Sequence, residues 1–212
     1  MKLAGIIGLL FIAMSLRGQV MQFSNDFFYV KVVPVKDYTG RQYRFAVDMK
    51  NVSDDTVAYI DCMALQVGKS DYDFLKYDFG NKPAKDTQWH TYAINGSFLA
   101  HTERIWFYIQ TKGNGRFYSD NLKLEVQNSD SSWATVPLKG GDFESANEKH
   151  PMEGFKIGSK VKGINLSIAN VQNPAPSKAL LITAIGGTKE WVTYYGHNRS
   201  KAGSFLINGI KR

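Results

Sequence analysis

Along much of this chain apolar and polar residues alternate, and the alternation predicts β-strands. In RQYRFAVDMK, Tyr43, Phe45, Val47 and Met49 take one face, while Arg44, Asp48 and Lys50 take the other, with Ala46 between them. That is a half-buried strand with a wet face. TVAYIDCMALQV (Thr56 to Val67) is apolar on both faces, the pattern of a central strand. In ERIWFYIQT, one face is Ile105, Phe107 and Ile109 and the other carries Trp106 and Tyr108. Strict alternation in RFYSDNLKLEV places Tyr118, Asp120, Leu122, Leu124 and Val126 together. No long stretch repeats apolar residues at three and four, so helices are not predicted.

Turn residues punctuate these runs at Tyr38-Thr39-Gly40, Asn51 to Asp55, Gly80 to Pro83, Asn95-Gly96 and Gly113-Asn114-Gly115. Many short strands at this spacing predict an all-β fold, an antiparallel β-sandwich. The polar stretch Gln127 to Ser132 reads as a linker. After it the chain is loop-rich, with two shorter apolar runs, Gly163 to Val171 and Lys178 to Gly187.

Three pieces of the first segment resemble the galactose-binding-like jelly rolls, which include many carbohydrate-binding modules. DYTGRQYRFAVDMK (Asp37 to Lys50) resembles an early strand after a Tyr-x-Gly turn. QWHTYAING (Gln88 to Gly96) resembles the Trp-x-x-Tyr strand. GNGRFYSDNLKLEV (Gly113 to Val126) resembles the closing strand. The resemblance implies a jelly roll over residues 23–127, with Trp89 and Tyr92 in its core. VPLKGGDFESANEKHPMEGF and SKALLITA resemble the opening half of a second such module, with Gly140 and Phe155 in place of the usual Asn and Trp. Residues 133–187 are therefore expected as a partial second β module, either reduced in itself or laying its strands against the first. The tail, YYGHNRSKAGSFLINGIKR, resembles the lead-in of a secreted α/β-hydrolase. This implies that residues 188–212 are a linker to a missing catalytic domain.

Residues 1–18 carry a secretory leader pattern: Met1-Lys2, the apolar stretch Leu3 to Met14, and a cleavage point near Gly18. The apolar stretch is short for a bilayer span, so the expectation is a secreted or periplasmic protein with no membrane contact after the leader is removed. The formal net charge is +7, and Lys2 and Arg17 belong to the leader, leaving +5. The basic residues are scattered, which speaks for solubility and against nucleic acid as a partner. Cys62 is the single cysteine and sits in an apolar strand pattern, the setting of a buried, inert thiol.

Catalytic patterns are missing from the sequence. No Gly-x-Ser-x-Gly elbow occurs, and Gly203-Ser204 has no glycine two places beyond the serine. The four histidines, at 90, 101, 150 and 197, form no metal-binding spacing. The chain is expected to be non-catalytic, a carbohydrate-binding-like or domain-positioning module. The alternative is the N-terminal accessory region of an esterase-like α/β-hydrolase. Sugar binding needs flat rings flanked by amides and acids, and the candidates are Trp106, Tyr108, Tyr72, Tyr77 and Trp133. For Trp106, packing inside the fold is the competing role. The family resemblance further implies a structural calcium held by Asp120, Asp142 and Glu144. Four Asn-x-Ser/Thr sequons start at Asn51, Asn95, Asn165 and Asn198.

Overall fold

The computed structural model describes residues 17–23, 25–80, 82–146, 149–158 and 162–195, with backbone alone for the first and last of its strands. It is an antiparallel β-sandwich. Its strands are β1 (Arg17–Phe23), β2 (Phe27–Pro34), β3 (Gln42–Val52), β4 (Tyr59–Val67), β5 (Phe74–Phe79), β6 (His90–Ser97) and β7 (Arg104–Lys112). They continue as β8 (Gly115–Gln127), β9 (Trp133–Val136), β10 (Lys156–Ile157), β11 (Ile164–Asn173), β12 (Ala175–Ala184) and β13 (Lys189–Tyr195). One sheet has the order β10-β2-β7-β4-β5, the other β11-β12-β8-β3-β6, with β9 hydrogen-bonded to β8. The only helical turn among the described residues is a 3-10 turn at Lys36–Tyr38.

The alternating runs build the core. Tyr43, Phe45, Val47 and Met49 are fully buried, facing Ile105, Phe107 and Ile109 of the opposite sheet. Phe45 and Phe107 stack with centroids 3.9 Å apart. β4 lies between β7 and β5, with Ile60, Cys62 and Ala64 turned inward. Burial and then the neighbouring Asp61 push the Cys62 thiol up to about 12, so it stays protonated. Residues 133–187 add to the same sandwich: β12 pairs with β8, and Leu180, Ile182, Ala184 and Phe143 enter the one inter-sheet core.

Three local expectations are corrected. Alternation in β8 breaks at Asn121, whose φ is 52°, where two residues of β8 oppose Val47 of β3. Phe117 and Ser119 point inward before this bulge and Leu122, Leu124 and Val126 after it, so Tyr118 and Asp120 stand on the outer face. Asn95-Gly96 is strand, not turn, because Gly96 lies under the Tyr43 ring. A Cβ there would come within 2.7 Å of that ring. Gln127 to Ser132 is the turn of the β8–β9 hairpin, closed by Asn128 N donating to Ser132 O at 2.8 Å and Ser131 N donating to Asn128 O at 3.1 Å.

The expected leader lies outside the described residues except for Arg17 and Gly18. These belong to β1 and pair with Tyr195 and Tyr194 of β13. The hydrolase-like tail lies outside them beyond residue 195. The β1–β13 ribbon joins the sandwich through Asn114. Its Oδ1 accepts from Asn25 Nδ2 at 2.9 Å and Gly187 N at 2.8 Å, and its Nδ2 donates to Gly187 O at 3.0 Å. Gly187 fits because any Cβ there would collide with the Asn25 amide.

Candidate functional site

Residues of even number in β2 and β7, and odd number in β4, face outward from the five-stranded sheet, and most of them are apolar. Three rungs cross the strands. One runs Val32, Trp106, Leu65, Tyr77, the next Val30, Tyr108, Met63, Phe79, and the third Phe28, Gln110, Asp61. Apolar members of these rungs, with Val67, make a second hydrophobic cluster, distinct from the inter-sheet core, in which the buried Val30, Leu65, Val67 and Tyr108 are packed by the half-buried Phe28, Val32, Met63, Tyr77 and Trp106. The rings touch in sequence: Phe28 to Tyr108 at 5.7 Å, Tyr108 to Trp106 at 6.2 Å, and Phe74 to Tyr77 at 6.4 Å between centroids. β10 brings Lys156 opposite Val30, with Nζ 5.1 Å from the Trp106 ring centre.

Polar groups border this platform at both ends. Asp61 and Gln110 sit directly opposite each other. Burial raises the Asp61 carboxyl to about 6, against a smaller downward pull from Gln110 and Lys112. At the other end, Arg104 donates to Asp71 Oδ1 at 2.6 Å and to the Gly68 and Lys69 carbonyls at 3.0 and 3.1 Å. Two buried polar atoms of the platform, Trp106 Nε1 and Asp61 Oδ1, have no hydrogen-bond partner. Tyr72, Phe79 and Phe74 form its open rim, at 82%, 65% and 45% exposure.

Of the five sequence-predicted aromatics, Trp106, Tyr108 and Tyr77 share this outer face, and Tyr72 lies in the β4–β5 loop beside it. Trp133 stands apart, on β9 of the other sheet, with the Arg44 guanidinium 3.7 Å from its ring centre. For Trp106 the sequence offered packing between the sheets as the competing role, and the register instead turns it away from the main core. Trp89, expected in the core, is half-buried on the outside of the six-stranded sheet, edge-on to Tyr118, with Lys50 beside both rings. Tyr92 does pack against the core. Phe28, Asp61, Gln110 and Lys156 were missed. For Phe28 the signal is present, because Phe28, Val30 and Val32 make one face of FFYVKVV wholly apolar and only Lys31 interrupts the other.

The acids named for calcium do not converge. Among the described residues no three His, Cys, Asp or Glu side chains come together as a metal site. Asp120 is buried, accepting from Ser177 Oγ at 3.1 Å and Asn121 N at 2.7 Å. Asp142 accepts from Glu144 N at 3.3 Å. Glu144 caps Lys178 N at 2.8 Å, supplying β12 with an acceptor where β8 has bulged away. Asp120 lies opposite Asp48, and the Asn173 amide donates to both carboxylates, at 3.5 and 3.1 Å. Burial, followed by the neighbouring Asp48 charge among the raising effects, lifts the Asp120 carboxyl above its ordinary value, while its hydrogen bonds pull it down.

No family model, no curated protein and no solved structure matches this chain.

Proposed function

We propose that the sandwich is a non-catalytic carbohydrate-binding-like module whose ligand face is the outside of the five-stranded sheet. The observation that carries this reading is the register that sets the half-buried Phe28, Tyr77 and Trp106 around the buried Tyr108 on one outer face, within two rungs of the Asp61–Gln110 pair. Rings supply flat apolar surface for the axial C–H face of a pyranose. The Gln110 amide and the Asp61 carboxyl at the end of the rungs supply partners for its hydroxyls. The chemistry is stacking and hydrogen bonding, without a covalent step.

Affinity electrophoresis against a panel of soluble polysaccharides, followed by calorimetry on any that retard the protein, tests the proposal. One polysaccharide is expected to bind, Trp106→Ala to weaken the binding about thirtyfold or more, and Trp133→Ala to leave it intact. Failure of every glycan, or full binding by Trp106→Ala in a folded variant, overturns it.

A further inference from the structure

β5, FLKYDF, is the edge strand of the five-stranded sheet, bonded to β4 on one side. Gly80 N donates to Cys62 O at 3.0 Å, which makes that opposed pair a hydrogen-bonded one. Antiparallel pairs alternate, so Asp78 and Lys76 also bond inward to β4, and Tyr77 and Phe79 turn their backbone N–H and C=O outward. Among the described residues no backbone partner meets these groups. An unpaired edge bordered by exposed apolar rings is a template for another strand.

We propose that the partner is β5 of a second copy of this chain, paired antiparallel about a two-fold axis at Tyr77. Outward-bonding residues must oppose outward-bonding residues, so the axis passes through a residue; Leu75 is set out of register by the bulge and the two end residues of β5 leave almost nothing paired, which leaves Lys76, Tyr77 or Asp78. An axis at Lys76 sets two lysines face to face, and one at Asp78 sets two aspartates face to face. An axis at Tyr77 sets Lys76 opposite the second copy's Asp78, twice over. Like charges directly opposite each other are unfavourable and unlike charges favourable, so charge selects the Tyr77 axis. Lys76 is an edge residue of the kind that ordinarily blocks strand addition. Here it already lies 2.8 Å from Asp78 of its own strand, and the two-fold register extends that pair into a four-charge cluster. The dimer joins two five-stranded sheets into one and sets the two aromatic platforms side by side.

Sedimentation velocity over a concentration series tests the association, and cysteine cross-linking tests the register. Wild type is expected to form a concentration-dependent dimer. Lys76→Glu is expected to weaken it at least about tenfold in a chain that stays folded. Tyr77→Cys is expected to give a disulfide-linked dimer on mild oxidation, because hydrogen-bonded pairs hold Cα atoms about 5.5 Å apart. Phe79→Cys is not, because the two copies of residue 79 lie about 14 Å apart in this register. Cys62 is buried and does not compete. A monomer at every concentration, a dimer indifferent to Lys76→Glu, or Phe79→Cys cross-linking as readily as Tyr77→Cys overturns the proposal.

Discussion

Both sheets of the sandwich carry aromatic rings on their outer faces, yet they treat them differently. On the six-stranded sheet each ring meets a cation or a hydrogen-bonding group of the same fold. Arg44 covers Trp133, Lys50 sits beside Trp89 and Tyr118, and the intervening surface is knitted by Asp48, Thr91, Asn121 and Asn173. On the five-stranded sheet Phe28, Tyr108 and Trp106 meet one another, Lys156 alone stands over Trp106, and the other polar groups lie at the ends of the rungs. Aromatic content alone therefore does not mark a ligand face. What separates the two is how the rings are arranged: dispersed among cations and hydrogen-bonding side chains on one sheet, and packed into a single apolar cluster on the other.

The comparison can be broken at its weakest points. The largest effect is expected at Asp61, the carboxylate opposite Gln110. Its ordinary value is 3.8 and burial lifts it to about 6 in the fold. Between these values the folded chain holds a proton that the unfolded chain has released. The contribution of Asp61 to stability is thus full below the lower value and is lost as pH climbs to the upper one. Asp61→Asn should remove that slope and raise stability at pH 7 by about 3 kcal/mol, read from urea titrations between pH 3.5 and 7.

Asn121→Val comes next. It forces a β-branched residue to a φ of 52° and deletes the bond to Asp48 at 2.9 Å, so the cost is about 2 kcal/mol. Asn121→Gly should lose only the side-chain bond, and equal losses in the two variants would deny the backbone a role. Trp106→Ala should weaken glycan binding by about 2 kcal/mol or more, the loss typical of a central aromatic anchor, seen in calorimetric titration. The smallest effect is expected at Arg44→Gln, where removing the cation from Trp133 costs about 0.5–1 kcal/mol and leaves glycan binding unchanged.

Much of this architecture was legible before the coordinates. Period-two patterns in β3 and β7 name their inward residues correctly, because each strand has one face packed on the opposite sheet and its register tolerates no slip. The same rule fails in β8. One left-handed residue at Asn121 inverts the parity of everything before it, and nothing in FYSDNLKL announces which residue is the extra one. Asn95-Gly96 misleads for a related reason, since the glycine is there for the Tyr43 ring and not for a turn. The candidate face was half legible. Trp106 and Tyr108 share a strand, so alternation groups them, whereas Tyr77, Phe28 and Lys156 reach them only through hydrogen bonds between strands distant in sequence.

The β1–β13 ribbon has a mechanical consequence. Arg17 and Tyr195 are paired at the same end, and Phe23 and Lys189 at the other, nearest the sandwich. A load that draws Arg17 and Tyr195 apart therefore opens the ribbon like a zipper, one rung at a time, instead of shearing all seven pairs at once. Peeling of this kind yields at low force. Beyond the ribbon, the Asn25–Asn114–Gly187 hydrogen bonds tie its flanks to the β7–β8 turn. In that geometry the seven rungs of the ribbon take the load in turn, ahead of the strands of the two sheets.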